Sequence, residues 1–228
     1  MANEFEQRFL VDPLQCPALS QIDFWIYHQA EVGSWKVSNV VQDFINKVDN
    51  LLDEEALSQF HSIVSQMLPG DKVKIRIRDI LRYGEVPRAE LTVKKKYPDI
   101  NWYKHYDEDN IPVSPEVAQK IIWIIAPPIN IGKEIERGVY KHRHFVYPRG
   151  KKSDLDVLRR ANTGPITLEI EVDSPYEVII PPSYVVCKIN GRPEFKMFWT
   201  WELQIKPWAL LSGTERKPYF DALKRKYK

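Results

Sequence analysis

Charged side chains occupy every second position in several short segments of this sequence. The clearest basic segment sets cations opposite apolar residues: Lys72, Lys74, Arg76 and Arg78 alternate with Val73, Ile75 and Ile77. Successive side chains of a β-strand point to opposite faces, so this alternation predicts a strand with one charged and one apolar face. The charges are segregated by sign, because two other segments carry acidic pairs instead: Glu4 with Glu6, and Glu169 with Glu171.

The charged faces of these strands have two interpretations. On a half-buried antiparallel sheet they are the solvated side. If the strands instead close into a barrel with the charges inward, two cations about 4 Å apart repel by roughly 4 kcal/mol at an effective dielectric constant of 20, and a bound polyanion would offset this. Gathered carboxylates share protons or hold a cation, and oxygen ligands suit Mg²⁺ or Mn²⁺. A polyphosphate bound with a divalent metal satisfies both sets of charges.

Further segments show the alternation expected of strands. They are residues 88–97 with Lys94 on the charged face, 139–146 with Lys141 and Arg143, 167–173, 183–189, and 198–206, where Glu202, Gln204 and Lys206 share one face. Strands therefore outnumber helices, and the chain is expected to be mainly antiparallel β.

Two amphipathic helical stretches are expected beside the strands. Apolar residues recur with a period of 3.6 over residues 37–67, with a break near Asp53 and an end at Pro69. A second helix is expected to begin after Ser114, a suitable N-cap before Pro115, and to run to about residue 126. We interpret both apolar stripes as core, with a groove for a partner as the alternative.

Length and composition exclude several classes of protein. The 228 residues include 33 basic and 31 acidic side chains, so the chain is no polycation that coats nucleic acid or an anionic membrane. No apolar run reaches the roughly 18 residues of a membrane span, and the charged N-terminal segment is unlike a signal peptide, so we expect a soluble, cytoplasmic protein. Cys16 and Cys187 lack the spacing of a zinc site or disulfide framework. We expect one domain over 1–228, with a helical insertion at about 36–68 and a C-terminal extension from about 198.

The order of the charged motifs resembles that of the CYTH, or triphosphate tunnel metalloenzyme, superfamily. Residues 4–8 are similar to its ExExK signature, with Arg8 in place of the usual lysine. The family's RxR, LTxK, KxR, acidic and terminal ExE strands follow in the same order, at Arg76 to Arg78, Leu91 to Lys94, Lys141 to Arg143, Asp154 to Asp156, and Glu169 to Glu171. The resemblance is to a divergent member. The helical stretch is longer than usual, and only Lys104, Tyr106 and Glu108 approximate the family's R-x-E-x-E segment.

The resemblance implies an α+β fold, in which a closed antiparallel β-barrel of about eight strands forms a tunnel with helices packed outside. It assigns a divalent metal, Mg²⁺ or Mn²⁺, to Glu4, Glu6, Glu169 and Glu171. It assigns the substrate phosphates to Arg8, Lys74, Arg76, Arg78, Lys94, Lys141 and Arg143. The catalytic residues would be Arg76 and the same four glutamates. Asp156 would either orient a cationic neighbour or serve as a turn residue.

The activity that the resemblance implies is metal-dependent hydrolysis of a triphosphate, namely inorganic triphosphate, ATP or GTP. An RNA 5′-triphosphatase and an adenylyl cyclase of the same fold stay open as alternatives. So does a non-catalytic module that binds a phosphorylated ligand or nucleic acid, although such a module gains nothing from four carboxylates beside its phosphates.

Aromatic residues and histidines are interpreted as scaffold. Trp199, Trp201 and Trp208 are expected to pack near a sheet edge, with base stacking as the alternative. His142 and His144 have the parity opposite to Lys141 and Arg143, so they should face away from the charged side of their strand.

Overall fold

The computed structural model describes residues 2–16, 24–32, 37–68, 70–98 and 103–227, with side chains except at 2–4, 37, 38 and 201. The strands in these ranges are β1 (Ala2–Val11), β2 (Trp25–Val32), β3 (Lys72–Arg82), β4 (Arg88–Lys96), β5 (Lys104–Val113), β6 (Ile129–Ile131), β7 (Glu134–Glu136), β8 (Val139–Val146), β9 (Ser153–Leu158), β10 (Ile166–Val172) and β11 (Val185–Lys188). The α-helices are α1 (Val37–Val48), α2 (Glu54–Ser65), α3 (Pro115–Ile125), α4 (Thr200–Ile205) and α5 (Gly213–Lys226).

Eight of the strands close into an antiparallel barrel. Hydrogen bonding runs in the order β10, β9, β8, β2, β3, β4, β5, β1, and β1 returns to β10. The strand β11 pairs with the last residues of β1, beyond the part of β1 that pairs with β5. The short strands β6 and β7 form a separate hairpin. The expected barrel of about eight strands is confirmed, and so is the strand expected at 183–189.

Helices α1 to α3 cover the apolar outer face of β3 and β4. Phe44 of α1 and Phe60 of α2 are fully buried in one cluster with Ile75 and Ile77. Burying a side chain of this size contributes roughly 1.5–3 kcal/mol. Because the apolar parity of these strands faces the helices, their charged parity faces the inside of the barrel. Within the described ranges, no helix is both long enough and apolar enough to cross a membrane.

Side-chain caps set the starts of two helices. Asp53 accepts a hydrogen bond from the Ala56 N–H at 2.8 Å and starts α2, so the amphipathic stretch is broken where the sequence predicts. Ser114 caps α3 in the same way, and Pro115 occupies its first turn. A 3₁₀ turn at Asp49–Leu51 joins α1 to α2. Both expected helical stretches are thus present, although α2 ends four residues before Pro69.

The prediction of a strand at 198–206 is wrong, because most of this segment forms α4. Leu203 and Gln204 are adjacent in sequence and both buried, whereas adjacent residues of a strand point to opposite faces. Leu203 packs against Val139 at the start of β8, and Gln204 bonds the backbone of Glu31 at the end of β2. The segment therefore covers one end of the barrel instead of extending its sheet.

Gln204 ties α4 to the barrel through its side-chain amide. The Glu31 N–H donates to Gln204 Oε1 at 2.9 Å, and Gln204 Nε2 donates to the Glu31 carbonyl at 2.6 Å. β8 pairs with β2 only as far as Gln29. Beyond it, the Gln204 amide makes the hydrogen bonds to Glu31 that a neighbouring strand would make. Gln204→Ala should lower the free energy of unfolding by about 2–4 kcal/mol in urea titration, because two buried backbone groups lose their partners.

The matched control is Glu202→Ala on the same helix. The Glu202 side chain has no hydrogen-bond or ion-pair partner among the described residues, so its loss should change the free energy of unfolding by less than about 0.5 kcal/mol. Equal effects of the two substitutions would contradict the role given to the Gln204 amide.

Candidate active site

Strand register brings the charged faces of the eight strands together inside the barrel. Arg8 lies opposite Glu169, and Glu6 lies opposite Glu171. The cations of the interior are Arg8, Lys74, Arg76, Arg78, Lys94, Lys104, Lys141 and Arg143. The carboxylates are Glu6, Glu31, Glu90, Glu108, Asp154, Asp156, Glu169 and Glu171. All seven cations assigned to phosphate from the sequence therefore lie in the interior.

Carboxylates of the chain itself offset these cations, a compensation that the sequence analysis assigned to a bound polyanion. Glu108 Oε1 lies 3.4 Å from Arg76 Nη2 and 3.5 Å from Arg78 Nη2, and the other Glu108 oxygen contacts Lys94. Burial alone would lower the pKa of Arg76, but Glu108 and Glu31 raise it. A polyanion that enters the tunnel must share or displace these existing ion pairs.

Asp156 is the centre of a second buried network. It accepts hydrogen bonds from Lys141 Nζ at 2.6 Å and from Arg143 Nε and Nη2 at 2.7 and 2.8 Å. Arg143 also reaches Glu169 at 3.1 Å and contacts Asp154. Burial alone would raise the pKa of Asp156, but the two cations hold it well below its usual range. Asp156 therefore orients two cations from within β9 and is not a turn residue.

One end of the tunnel is filled by the start of the segment that forms α4. Thr200 Oγ1 accepts a hydrogen bond from Gln29 Nε2 at 3.0 Å, and Lys104 Nζ lies 5.1 Å from the centre of the Trp199 ring. The cavity that remains at this narrow end measures about 30 Å³, which is room for water and not for a polyphosphate. A ligand as large as a polyphosphate could reach the interior only from the opposite end.

The opposite, wide end opens into a cavity of about 280 Å³. This volume is close to the lower limit of roughly 300 Å³ for small-molecule sites. Arg78, Arg143 and Glu171 line it together with the aromatic rings of Tyr27 and Phe145. Burial raises the pKa of Tyr27 to about 12, so its hydroxyl remains a hydrogen-bond donor at neutral pH.

The predicted metal ligands are only partly brought together. Glu6 and Glu171 face each other across β1 and β10, whereas Glu169 contacts Arg8 and Arg143. The side chain of Glu4 lies outside the described residues. Among the side chains that are described, no three acidic, histidine or cysteine groups converge as a set for one metal ion.

Glu6 and Glu171 nevertheless have the chemistry that a hard divalent ion requires. Burial alone would raise the pKa of Glu6, but Lys104 and Arg8 lower it to about 2, so the group is ionised. Burial, followed by the charges of Asp154 and Glu6, raises the pKa of Glu171. Negative charge is thus crowded at this pair. Mg²⁺ binds through one or two carboxylates plus substrate phosphates, so the two residues fit such an ion when phosphate is present.

Lys141 makes stability depend on pH. Burial, followed by the charge of Arg143, lowers the pKa of Lys141 to about 7, whereas an unfolded lysine has a pKa of about 10.4. Between these values the unfolded state binds more protons, so the free energy of unfolding should rise with pH. Lys141→Met should reduce this rise by up to about 1.4 kcal/mol per pH unit, measured by urea titration between about pH 7 and 9.

The exposed Lys224 provides the control for that titration. Lys224→Met should leave the pH dependence of the free energy of unfolding unchanged, because the Lys224 side chain is exposed to solvent in the folded chain and its charge is screened there. An unaltered slope in Lys141→Met would show that Lys141 stays protonated in the folded protein.

Sequence reasoning missed the contribution of β2 to the interior. Tyr27, Gln29 and Glu31 point inward, and Glu31 lies 3.6 Å from Lys74. Their alternation with Ile26, Ala30 and Val32 was the available signal. The part of β5 that approximates the R-x-E-x-E segment also belongs to the interior, since Lys104 and Tyr106 line the narrow cavity and Glu108 reaches three cations.

The scaffold residues are placed mostly as expected. His142 and His144 lie on the outer face of β8, where both rings contact Phe24. Trp208 packs with Phe198 and Tyr219 in the C-terminal aromatic cluster. Trp199 differs, because it lies inside the narrow end of the tunnel, and the side chain of Trp201 lies outside the described residues.

Comparison with known proteins gives distant structural likenesses. No family model matches the chain, and a search of curated proteins found no match. One similar solved structure is described as the inorganic triphosphatase NE1496, with 15% identity, 90% of this chain and 97% of that chain covered, and a TM-score of 0.42. Another is HpAC1 from Hippeastrum, for which a dominant triphosphatase activity is described, with 13% identity, 75% of this chain and 80% of that chain covered, and a TM-score of 0.42. At this level of similarity the function has to be argued from the site.

Proposed function

We propose that the protein is a metal-dependent phosphohydrolase that acts on a triphosphate inside the barrel. The observation that carries the proposal is the closed eight-stranded barrel whose interior holds charged side chains from every strand. Barrels of this size can be filled by side chains alone, and apolar side chains fill such an interior at lower cost than buried ion pairs. A charged interior that is open at its wide end therefore favours the binding of a strongly charged ligand.

Buried donors without acceptors support an anionic ligand. Arg8 Nε and Arg76 Nε are buried in the interior and have no hydrogen-bond partner among the described residues. Buried N–H groups are nearly always satisfied, and an unpaired donor on a cation is costly. Phosphate oxygens would supply the acceptors, because guanidinium groups bind them through two parallel hydrogen bonds.

The phosphate chain enters at the wide end in this proposal. Arg78 and Arg143 meet it first, and Arg76 and Lys94 receive its innermost oxygens. These cations are already held by Glu90, Glu108 and Glu169, so little reorientation is needed when substrate binds. Fixed cations that face the phosphoryl oxygens stabilise the charge that develops there in the transition state.

The residues that would hold Mg²⁺ or Mn²⁺ are Glu6 and Glu171, with Glu169 beside them and Glu4 two residues along the same strand. When bound, such an ion polarises phosphoryl oxygens and lowers the pKa of a coordinated water. The positive charges of Lys104 and Arg8 keep Glu6 ionised. The pairing of β1 with β10 keeps the Glu6 and Glu171 carboxylates adjacent.

A substrate panel tests the proposal. Inorganic triphosphate, ATP, GTP, thiamine triphosphate and triphosphate-ended RNA are incubated with Mg²⁺, Mn²⁺ or EDTA, and orthophosphate and pyrophosphate are measured. Orthophosphate release that EDTA abolishes is expected. Pyrophosphate without orthophosphate would indicate cyclase chemistry, and binding without turnover would indicate a non-catalytic module.

The matched pair of variants in this panel is Glu171→Gln and Glu116→Gln. Glu116 lies exposed on α3 and, among the residues that the structure describes, pairs only with Lys120, so its amide variant should keep full activity. Glu171→Gln should lose most of the metal-dependent orthophosphate release, while its thermal unfolding temperature stays near that of the unmodified protein. Full activity of Glu171→Gln would remove it from the proposed metal site.

A further inference from the structure

The largest cavity described lies outside the barrel and plays no part in the proposed reaction. It measures about 670 Å³ and is bounded by the outer faces of β2, β3 and β8, by α3, and by the turn that follows β9. Ligand sites for drug-sized molecules usually span about 300–1,000 Å³. Since the barrel wall separates this outer cavity from the tunnel, any ligand here is independent of the substrate.

The floor of the outer cavity presents hydrogen-bond acceptors. Asp79 is only 4% exposed. Its Oδ2 accepts from Gln119 Nε2 at 2.8 Å, whereas its buried Oδ1 has no hydrogen-bond partner in the part of the chain that the structure describes. His28, opposite Asp79 in the register, donates its Nε2–H to the Arg137 carbonyl at 2.7 Å, which leaves Nδ1 as an acceptor. An unpaired buried carboxylate oxygen favours a ligand that brings an N–H donor.

The rim of the outer cavity presents cations. Arg159 Nε donates to His142 Nδ1 at 3.1 Å, and the Arg160 guanidinium lies 3.6 Å from the centre of the Tyr140 ring. Neither arginine has a carboxylate partner among the described residues. Their positions are fixed while their charge is uncompensated, which suits a phosphate group.

The backbone at the rim has an uncommon conformation at Arg160. Its φ is 54°, a left-handed conformation that non-glycine residues rarely adopt. Strained residues cluster at ligand sites because the surrounding structure holds them there. Trp123, 55% exposed on α3, forms an aromatic wall beside the same cavity. A planar ring can stack on such a wall.

We infer that the outer cavity binds a nucleotide whose base carries an exocyclic amino group. The amino group donates to Asp79 Oδ1, the base packs against Trp123, and the phosphate binds Arg159 and Arg160. A free amino acid would leave much of a 670 Å³ cavity empty, and inorganic phosphate alone would leave the Asp79 oxygen unpaired. The inference does not rest on the function proposed for the tunnel.

Calorimetric titration with three probes tests this inference: AMP, purine riboside 5′-monophosphate, and inorganic phosphate. Purine riboside 5′-monophosphate has a hydrogen where AMP has its amino group, and its base carries no N–H donor. AMP should bind the unmodified protein at least tenfold more tightly than either other probe, because each of them leaves the Asp79 oxygen without a donor. Equal binding of AMP and purine riboside 5′-monophosphate, or no binding of AMP at millimolar concentration, would overturn the inference.

Variants separate the outer cavity from the tunnel. Asp79→Asn and Arg160→Gln should each weaken AMP binding at least tenfold and leave triphosphate hydrolysis unchanged. Arg78→Gln in the tunnel should lower triphosphate hydrolysis and leave AMP binding unchanged. Loss of AMP binding in Arg78→Gln alone would place the nucleotide in the tunnel and overturn the inference. Because Arg160 is exposed, Arg160→Gln remains decisive even if Asp79→Asn folds poorly.

Discussion

Replacing Arg76 with alanine is expected to lower kcat/KM for inorganic triphosphate by about 10²- to 10³-fold, the range for removing one fixed donor from a site that stabilises developing charge. Arg76 has a buried Nε for which the described residues supply no acceptor, and its Nη2 lies 3.4 Å from Glu108. The loss should appear in steady-state kinetics with Mg²⁺. Ligand-free stability should fall only modestly, because Glu108 keeps its contacts with Lys94 and Arg78.

Lys72 gives the matched control for Arg76. It shares the charged parity of β3 but is exposed at the start of the strand, where solvent and salt screen its charge. Lys72→Ala should change kcat/KM by less than about twofold. If Arg76→Ala left hydrolysis unchanged while lowering the free energy of unfolding strongly, Arg76 would be a structural residue and β3 would not bind the substrate.

Replacing Asp156 with alanine should lower the free energy of unfolding at neutral pH by about 3–5 kcal/mol, as measured by urea titration. The substitution leaves Lys141 and Arg143 buried without the carboxylate that accepts three of their hydrogen bonds. Because the folded pKa of Asp156 is far below that of an unfolded aspartate, its contribution is complete above about pH 4 and shrinks as the pH falls further.

Asp173 serves as the control for Asp156. It is exposed just beyond β10 and has no hydrogen-bond or ion-pair partner among the described residues, so Asp173→Ala should be nearly neutral. A small effect of Asp156→Ala, below about 1 kcal/mol, would mean that Lys141 and Arg143 find other acceptors or water. The network would then not be the element that fixes these two cations.

The strands that could be predicted from the sequence are those whose two faces differ clearly. In β3 the interior residues Arg76 and Arg78 alternate with Ile75 and Ile77, which pack under the helices, so the period of two is evident. In β5 the outward residues are also polar. His105 stacks between Phe5 and Tyr97, and Asp107 accepts a hydrogen bond from the Tyr97 hydroxyl. Local interactions of this kind remove the alternation on which the prediction depends.

The charge balance of the site could not be predicted, because it depends on register between strands distant in sequence. Glu108 of β5 reaches cations on β3 and β4, and Glu31 of β2 reaches Lys74 of β3. Glu108 lies between Asp107 and Asp109, and Glu31 is the one acidic residue of β2, so neither local sequence shows which cation its side chain will reach. The placement of Trp199 in the narrow end depends likewise on the hydrogen bonds of Gln204, which only the folded chain brings to Glu31.

The central claim is that the barrel interior binds a triphosphate together with a divalent metal. Crystals grown with Mn²⁺ and a non-hydrolysable triphosphate analogue test it most directly, because the anomalous scattering of Mn²⁺ locates the ion independently of the phosphates. We expect the Mn²⁺ peak beside Glu6 and Glu171, and phosphate density against Arg76, Arg78 and Arg143. A tunnel free of both, with the analogue bound only on the outer surface, would contradict the claim.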